Sequence, residues 1–254
     1  MQRIDLNSDL GEGFGPWKMG DDAAMLKIVS SANIACGGHA SDPDHMVHTL
    51  RLAHANGVSI GAHPGYNDKE GFGRRVIPME PNQIGHMVVA QIGAFTALAR
   101  LADVPVSYVK AHGALANLAA RDPRVAAAMV EAVAAAFPKL PILAISGTEV
   151  EKCCRAKGIE VYSEIFADRG YLASGQLVLR GQPGAMIEDA EVAAQRLIDF
   201  VRTGEMPVAD GAPIKLNAHS ICVHGDSPSA VAMARRITER LGDAGIEIAR
   251  FTGG

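Results

Sequence analysis

Short apolar runs alternate with longer stretches of helical periodicity along the whole chain. The short runs are rich in β-branched residues, and several are apolar at nearly every position, which is typical of strands covered on both faces. The predicted strands are Arg3–Asn7, Ala32–Ala35, Val58–Ala62, Val106–Lys110, Ile142–Ile145, Glu160–Ile165 and Ser220–Val223, with Gly245–Phe251 as a candidate eighth. Strands that alternate with helices in this way predict a parallel sheet.

The stretches between the strands carry helix start signals. Pro81–Leu101 repeats apolar side chains at helical spacing and predicts the longest helix. Thr148 and Glu151 have the spacing of a capping box. Three further starts pair a capping side chain with a proline, which has no backbone N–H to leave unpaired: Asp42-Pro43, Asp122-Pro123 and Ser227-Pro228.

The repeated strand–helix units predict one α/β domain over residues 1–254, because no linker, low-complexity tract or exact repeat interrupts them. Two architectures fit: an open doubly wound sheet, and a (β/α) barrel of seven or eight mostly parallel strands. Polar residues follow almost every predicted strand, and this recurrence favours the barrel.

Composition and charge narrow the class of partner. The chain has 24 Lys and Arg against 28 Asp and Glu, a net charge of −4, and no basic stripe, so a nucleic-acid partner is not expected. No stretch approaches the ~20 apolar residues that cross a bilayer, and the strand-like start is no secretory signal. Four cysteines without a Cys-x-x-Cys pattern fit a reducing cytoplasm.

Ionisable residues follow six of the seven predicted strands. The carboxyl ends of parallel strands meet at one face of a barrel, so these side chains are expected to converge there and to support acid–base chemistry. They are Asp9 and Glu12 after the first strand, His39 after the second, His63 after the third, Lys110 and His112 after the fourth, Asp168 and Arg169 after the sixth, and His224 and Asp226 after the seventh.

Three of these residues also form a candidate ligand set for a divalent metal such as zinc. Asp9, His39 and His63 would supply one carboxylate oxygen and two imidazole nitrogens. The three lie far apart in sequence, so their spacing is not diagnostic, and the residues alone favour acid–base catalysis over metal binding. Lys110 could stabilise an oxyanion or a phosphoryl oxygen.

Other motifs are weaker. Arg74 and Arg75 lie on a glycine-rich turn, where two guanidiniums could clamp a carboxylate or phosphate, although composition alone favours a solvated surface turn. Pro16 occupies the position of the last glycine in a dinucleotide-binding fingerprint, so that motif fails. No Gly-x-x-x-x-Gly-Lys-Ser/Thr is present, so any ATP binds in another manner or on another chain.

Seven sequence blocks, spread from residue 5 to residue 226, resemble the signature blocks of the LamB/YcsF family. The blocks are long and unusual, and they cover nearly the whole chain in the family's order. They are Asp5-Leu-Asn-Ser-Asp-Leu-Gly-Glu-Gly-Phe-Gly15, Asn33-Ile-Ala-Cys-Gly-Gly-His-Ala40, Gly61-Ala-His-Pro-Gly65, Gly71-Phe-Gly-Arg-Arg75, Lys110-Ala-His-Gly-Ala-Leu115, Phe166-Ala-Asp-Arg-Gly-Tyr171 and Cys222-Val-His-Gly-Asp226.

The resemblance implies the role of the A component in an ATP-dependent 5-oxoprolinase, which opens 5-oxo-L-proline to L-glutamate together with subunits B and C. It also implies a barrel related to the glycoside hydrolase/deacetylase group, whose members often hold a metal with an Asp and two His. On this basis Arg74 and Arg75 become candidates for an anion site, and Glu12 is a further candidate for binding the substrate.

Two other functions remain open from the sequence. One is a stand-alone metal-dependent amide hydrolase or deacetylase, which would need no ATP. The other is a non-catalytic subunit whose polar residues only bind the lactam.

If the lactam oxygen is phosphorylated, an Asp or His would activate water, Lys110 with an Arg would hold the negative charge, and a second His or Asp would protonate the leaving nitrogen.

Overall fold

A computed structural model describes residues 2–225 and 229–252. The strands are β1 (Gln2–Leu10), β2 (Ser31–Ala35), β3 (Ser59–His63), β4 (Tyr108–Val109), β5 (Ile142–Ile145), β6 (Val161–Phe166), β7 (Glu205–Met206), β8 (Ile214–Lys215), β9 (Ser220–Cys222) and β10 (Ile246–Ile248). The helices are α1 (Asp22–Met25), α2 (Pro43–Ala55), α3 (Pro81–Leu101), α4 (Gly113–Ala119), α5 (Pro123–Ala136), α6 (Glu149–Ala156), α7 (Ala190–Thr203) and α8 (Ala230–Asp243).

Seven parallel strands close into a barrel in the order β1-β2-β3-β4-β5-β6-β9, with β9 pairing back onto β1. The extra strand β10 runs parallel to β1 at residues Gln2–Ile4, whereas β9 takes residues Asp5–Asn7 of the same strand. A short antiparallel pair, β7 and β8, lies between α7 and β9. The predicted barrel is therefore confirmed, and the open doubly wound sheet is wrong.

Two predicted strands are shorter than expected. The fourth covers only Tyr108–Val109, and the eighth covers only Ile246–Ile248 and lies outside the ring of seven. Competition for one edge of β1 explains why β10 is short. The backbone N–H of Asp5 donates to the His219 carbonyl, and from Asp5 onward β9 pairs with the edge of β1 that β10 would need in order to continue.

Helix starts follow the predictions with one exception. Asp42 and Asp122 each accept backbone N–H bonds in the first turn of α2 and α5. The predicted capping box at α6 is absent, because Thr148 donates its hydroxyl to the Ile145 carbonyl and Glu151 accepts from Gly147 instead. The predicted start at Ser227-Pro228 lies outside the described residues.

Helix α3 has the predicted bounds and packs its apolar stripe, which includes Ile84, Val88, Ile92 and Phe95, into the core. Among the described residues it is the one helix long and apolar enough to cross a membrane by length and composition, a test that buried core helices also pass. The expectation that no stretch approaches the ~20 apolar residues of a membrane span is therefore corrected at this helix, in which Asn82, Gln83 and His86 interrupt the apolar residues.

The barrel interior is polar, and the main hydrophobic core lies between the barrel and its helices. Along β1, Leu6 and Leu10 pack into that core, whereas Asp5, Asn7 and Asp9 alternate with them and make side-chain hydrogen bonds inside the barrel. This is the period of two that a strand imposes on its side chains. The predicted acid–base residues therefore lie next to polar side chains that are hydrogen-bonded to one another inside the barrel.

Gly61 on β3 makes room for the buried Tyr108 ring, which donates its hydroxyl to Asn33 at 2.7 Å. A Cβ at Gly61 would lie 2.2 Å from the ring. We expect Gly61→Ala to lower the free energy of unfolding by about 1–3 kcal/mol, as overpacking does. Gly93→Ala is the matched control, since a Cβ there meets nothing within 4 Å and removes a glycine from inside α3. Urea denaturation that ranks Gly61→Ala at least as stable as Gly93→Ala would contradict this packing.

Asp5 at the bottom of the barrel makes stability depend on pH. Burial raises its pKa from 3.8 to about 6, although the hydroxyls of Ser220, Ser31 and Ser30 donate to its carboxylate. A raised pKa means that the folded chain binds the proton more tightly, so this stabilisation is complete below about pH 4 and is lost as the pH rises through about 6. We expect Asp5→Asn to remove this loss, which is worth about 3 kcal/mol.

The measurement is the free energy of unfolding of the native chain and of Asp5→Asn at about pH 4.5 and about pH 7.5. Relative to the native chain, Asp5→Asn should have a higher free energy of unfolding at the higher pH than it has at the lower pH. Parallel pH profiles would show that Asp5 has the same pKa in the folded and unfolded chain.

Candidate active site

A cavity of about 580 Å³ opens at the carboxyl ends of the barrel strands. Most of the side chains predicted from the sequence converge on it, as the barrel topology requires. The predicted residues in its wall are Asp9, Glu12, His63, Arg74, Lys110, His112, Arg169 and His224. His39 is buried directly behind His112, with the two rings stacked 3.6 Å apart.

Lys110 occupies the centre of the cavity floor. Its Nζ donates to Oδ1 of Asp9 at 3.0 Å and to Oε2 of Glu164 at 3.1 Å. It also lies 3.1 Å from Oδ1 of Asn7 and 3.2 Å from Sγ of Cys222. One buried ammonium therefore links two carboxylates that come from β1 and β6.

The two carboxylates differ in their surroundings. Burial alone would raise the pKa of Asp9, but the charges of His63 and Lys110 hold it well below its ordinary value. Burial raises the pKa of Glu164, and Lys110 offsets only part of that rise. Burial alone would lower the pKa of Lys110, but Asp9, Cys222 and Glu164 raise it well above its ordinary value. The floor thus holds an ionised aspartate, a charged lysine and a glutamate that takes up a proton more readily.

Four buried side chains form a second cluster beside this floor: Glu12, His39, His63 and His112. Nε2 of His39 lies 3.1 Å from Oε1 of Glu12, and Nδ1 of His112 lies 3.6 Å from the same oxygen. Each residue offers one ligand atom within 4.8 Å of the others. Burial and neighbouring histidines lower the pKa of His112 to about 3 and that of His39 well below its ordinary value, which keeps both rings neutral.

Two carbonyl groups orient the rings of His63 and His112. Nδ1 of His63 donates to the Lys110 carbonyl at 2.8 Å, and Nε2 of His112 donates to the Phe72 carbonyl at 2.9 Å. In neutral rings the other nitrogens, Nε2 of His63 and Nδ1 of His112, then carry lone pairs, and these two atoms are 3.1 Å apart. Facing lone pairs repel each other, and a metal ion that accepts both of them would remove this repulsion.

The donor set fits a metal ion of the zinc type. Three imidazole nitrogens and one carboxylate oxygen are ligands that zinc accepts, and the carbonyl bonds to the far ring nitrogens are the outer-shell contacts that orient such ligands. Nδ1 of His39 is buried without a hydrogen-bond partner among the described residues. Of the predicted ligands, His39 and His63 belong to this cluster. Asp9 adjoins it, with Oδ2 3.3 Å from Nε2 of His63 and Oδ1 held by Lys110 and Asn33.

Asp168, which is buried, pairs with His224, a partly exposed residue of the cavity wall. Nδ1 of His224 donates to Oδ2 of Asp168 at 2.7 Å, and Nη2 of Arg180 donates to Nε2 of His224 at 3.2 Å. Burial alone would raise the pKa of Asp168, but His224 lowers it below its ordinary value. Asp168 therefore holds one tautomer of His224, which in turn positions Arg180 at the cavity.

The remaining predicted residues lie in different surroundings. Arg74 lines the cavity, but Arg75 is not among the described residues of its wall, because Asp68 binds its guanidinium in a surface ion pair. Arg169 lines the cavity and donates to the carbonyls of Val178 and Ala185, so part of its function is to hold the β6–α7 loop. Asp226 lies outside the described residues.

Three participants were missed in the sequence. Glu164 lies within the predicted strand Glu160–Ile165, and the sequence predicts no role for it, nor for Asn7 and Asn33 beyond the longer blocks that contain them. One signal was available: Asp5, Asn7 and Asp9 are polar at every second position of β1, which predicts a polar side facing inward. Nothing comparable marks Glu164, whose role depends on Lys110 facing it across the barrel.

Comparisons with known proteins extend over the whole chain. The model of the LamB/YcsF family matches residues 4–253. The chain is 48% identical over 253 residues to a 5-oxoprolinase A component, the one numbered 3, of Pseudomonas syringae pv. tomato, covering 100% of this chain and 99% of that protein. It is 48% identical over 249 residues to the 5-oxoprolinase A component of Gluconobacter oxydans, covering 98% of each.

Solved structures agree with the barrel. The lactam utilization protein from Thermus thermophilus has a TM-score of 0.91 and 41% identity, with 98% of this chain and 99% of that chain covered. A GH18 chitinase from Pseudoalteromonas aurantia, at 8% identity and a TM-score of 0.54, shares the fold alone, with 93% of this chain and 100% of that chain covered.

The histidine cluster generates a prediction about zinc. We expect His63→Ala and His112→Ala each to weaken zinc binding by about 100-fold or more, since changes behind the ligands already cost 10–100-fold in other sites. His86→Ala is the matched control, because His86 is exposed on α3 and far from the cluster. Equilibrium dialysis of the whole chain against zinc measures the effect. Native-like affinity in both cluster variants would contradict a zinc site formed by these residues.

Proposed function

The chain belongs to the LamB/YcsF family, and from this membership we propose that it acts as the A component of an ATP-dependent 5-oxoprolinase. The substrate would be the lactam 5-oxo-L-proline and the product L-glutamate, with ATP converted to ADP and phosphate. Relatives that are named as this component of 5-oxoprolinase are 48% identical over essentially the full length. The observation that carries the proposal is the Asp9–Lys110–Glu164 cluster at the cavity floor, which supplies the groups that amide hydrolysis needs.

The chemistry explains why ATP is required. A five-membered lactam is a resonance-stabilised amide, and phosphorylation of its oxygen would turn it into an activated imidate. One water then adds to the activated carbon, and the carbon–nitrogen bond breaks as the nitrogen takes up a proton, which leaves an acyl phosphate. A second water hydrolyses the acyl phosphate to L-glutamate and inorganic phosphate. We assign the hydrolytic part of this sequence to the barrel.

Asp9 is the proposed base. Its carboxylate stays ionised beside Lys110 and His63, and Oδ2 is directed towards the histidine cluster, where it can accept a proton from the attacking water. Asn33 and Lys110 hold the other oxygen and fix the direction of the carboxylate. Lys110 retains its charge inside the barrel, so it can also stabilise negative charge that develops on the lactam oxygen.

Glu164 is the proposed acid. Its pKa is raised by burial, whereas that of the neighbouring Asp9 is lowered, and such a divergence separates an acid from a base in one site. Glu164 lines the cavity on the far side of Lys110 from Asp9. A proton on this carboxyl can therefore reach the ring nitrogen while Asp9 faces the water.

Glu12, His39, His63 and His112 would hold a divalent metal, which when bound would polarise the lactam oxygen and lower the pKa of water. Asp9 lies next to this cluster through His63, so its role as base is compatible with the metal-bound and metal-free site. We further propose that ATP is a co-substrate of the assembled enzyme, that subunits B and C are the partners, and that the complex is cytoplasmic.

The histidine and glutamate donor set also favours a second candidate, a stand-alone metal-dependent amide hydrolase. That enzyme would use the same cluster but would need neither ATP nor companion subunits. Loss of activity with a chelator, in the absence of ATP, would support this candidate over the 5-oxoprolinase.

The test is glutamate formation from 5-oxoproline and ATP by the chain mixed with its companion subunits, with each component omitted in turn. We expect Asp9→Asn to lower kcat by about 100-fold or more, because general base catalysis contributes 10²–10⁴-fold. The matched control is Asp243→Asn, which removes an exposed carboxylate at the end of α8. Near-normal glutamate formation by Asp9→Asn would reject Asp9 as the base.

A further inference from the structure

We propose that Arg180, with Arg169 and Arg74, forms an oxyanion-binding subsite at the outer end of the cavity, opposite the cluster of Asp9 and Lys110. The group that it takes is a carboxylate or a phosphoryl group of the substrate. This inference rests on the proposed function for the identity of the substrate, and it adds the residues that select a charged lactam over a neutral one.

The first observation is the support behind Arg180. His224 accepts from its Nη2 at 3.2 Å and donates to Asp168, so a buried carboxylate and one fixed imidazole tautomer position an exposed guanidinium. Nη1 of the same guanidinium lies 3.6 Å from the sulfur of Met186. A guanidinium that is only solvated at the surface does not need an Asp168–His224 pair to fix its position.

The second observation is the closeness of like charges. Burial and then the charge of Arg180 lower the pKa of Arg169, and Arg74 adds to this effect. Arg169 is itself buried, and its guanidinium is held by two carbonyl groups of the β6–α7 loop. Arg74, Arg169 and Arg180 line the same cavity, so an anion bound there can accept hydrogen bonds from more than one guanidinium.

The third observation is the polarity of the cavity. The described residues in its wall include five cations, Arg74, Lys110, Arg121, Arg169 and Arg180, and three carboxylates, Asp9, Glu12 and Glu164. All three carboxylates are at the floor, where Asp9 and Glu164 bind Lys110 and Glu12 contacts the histidines. Arg74 and Arg180 are exposed at the cavity mouth, with the Asp168 carboxylate behind His224 on the side of Arg180, whereas the acid–base groups lie at the floor.

This polarity matches the substrate of the proposed function. 5-Oxoproline carries its carboxylate on the ring carbon next to the nitrogen, on the side away from the carbonyl that reacts. With the carbonyl at the floor, the carboxylate points outward to the arginines. Guanidiniums bind carboxylate and phosphoryl oxygens in the same bidentate manner, so both anions must be tested.

The experiment compares the native chain with Arg180→Gln, Arg180→Lys and the control Arg202→Gln, whose arginine is exposed in the last turn of α7. Calorimetric titrations use 5-oxoproline, its uncharged analogue 2-pyrrolidinone, and inorganic phosphate. We expect Arg180→Gln to weaken anion binding by about tenfold or more and to leave 2-pyrrolidinone unchanged. Arg180→Lys keeps the positive charge and should weaken anion binding less than Arg180→Gln does.

A loss for 5-oxoproline alone assigns the subsite to the carboxylate, and a loss for phosphate alone assigns it to a phosphoryl group. Unchanged binding of both anions by Arg180→Gln, equal weakening of 2-pyrrolidinone, or no binding of either anion by the native chain would overturn the subsite.

The reconstituted enzyme separates the two proposals. No glutamate from 5-oxoproline, with anion binding still dependent on Arg180, rejects the function and keeps the subsite. Normal glutamate formation by Arg180→Gln with unchanged KM rejects the subsite and keeps the proposed function.

Discussion

The ammonium group of Lys110, buried inside the barrel, is the constraint on which the site depends. A charge without water is stable only when opposite charges and hydrogen-bond acceptors surround it, and here Asp9, Glu164 and Asn7 supply them from two other strands. Removing Asp9 or Glu164 takes away one of the lysine's two opposite charges, and removing Asn7 takes away a neutral acceptor. The same contacts that stabilise the lysine also accompany a lowered pKa of Asp9 and a raised pKa of Glu164. The proposed catalysis and the stability of the fold therefore depend on the same hydrogen bonds.

The polar interior determines where the fold keeps its hydrophobic core. Because Asp5, Asn7 and Asn33 fill the barrel with hydrogen bonds, the apolar side chains of β1 and β2 pack outward against the helices. A satisfied polar network of this kind specifies one arrangement, since each group has a defined partner. The glycine at position 61, which leaves space for the Tyr108 ring, belongs to the same arrangement.

Most local signals in the sequence predict structure correctly, with the capping box at Thr148 as an exception, whereas specific pairings across the barrel cannot be predicted from it. The caps at Asp42 and Asp122 and the residues after the strands depend on neighbouring positions, so the sequence predicts them. Glu164 has its role only because Lys110 faces it, and the three-residue length of β10 depends on β9 competing for the same edge of β1. The metal-ligand set shows the same limit, because four side chains on three loops and one strand meet through the topology alone.

Strand β1 pairs with β2 on one edge and with both β9 and β10 on the other, which joins the first residues of the chain to its last quarter. During synthesis, this edge of β1 has no partner until more than two hundred residues have left the ribosome. Contacts so distant in sequence slow folding, and an unpaired strand edge invites association with other chains. Ring closure is thus a late event, and a nascent chain that stalls before β9 would depend on chaperones to remain free of aggregates.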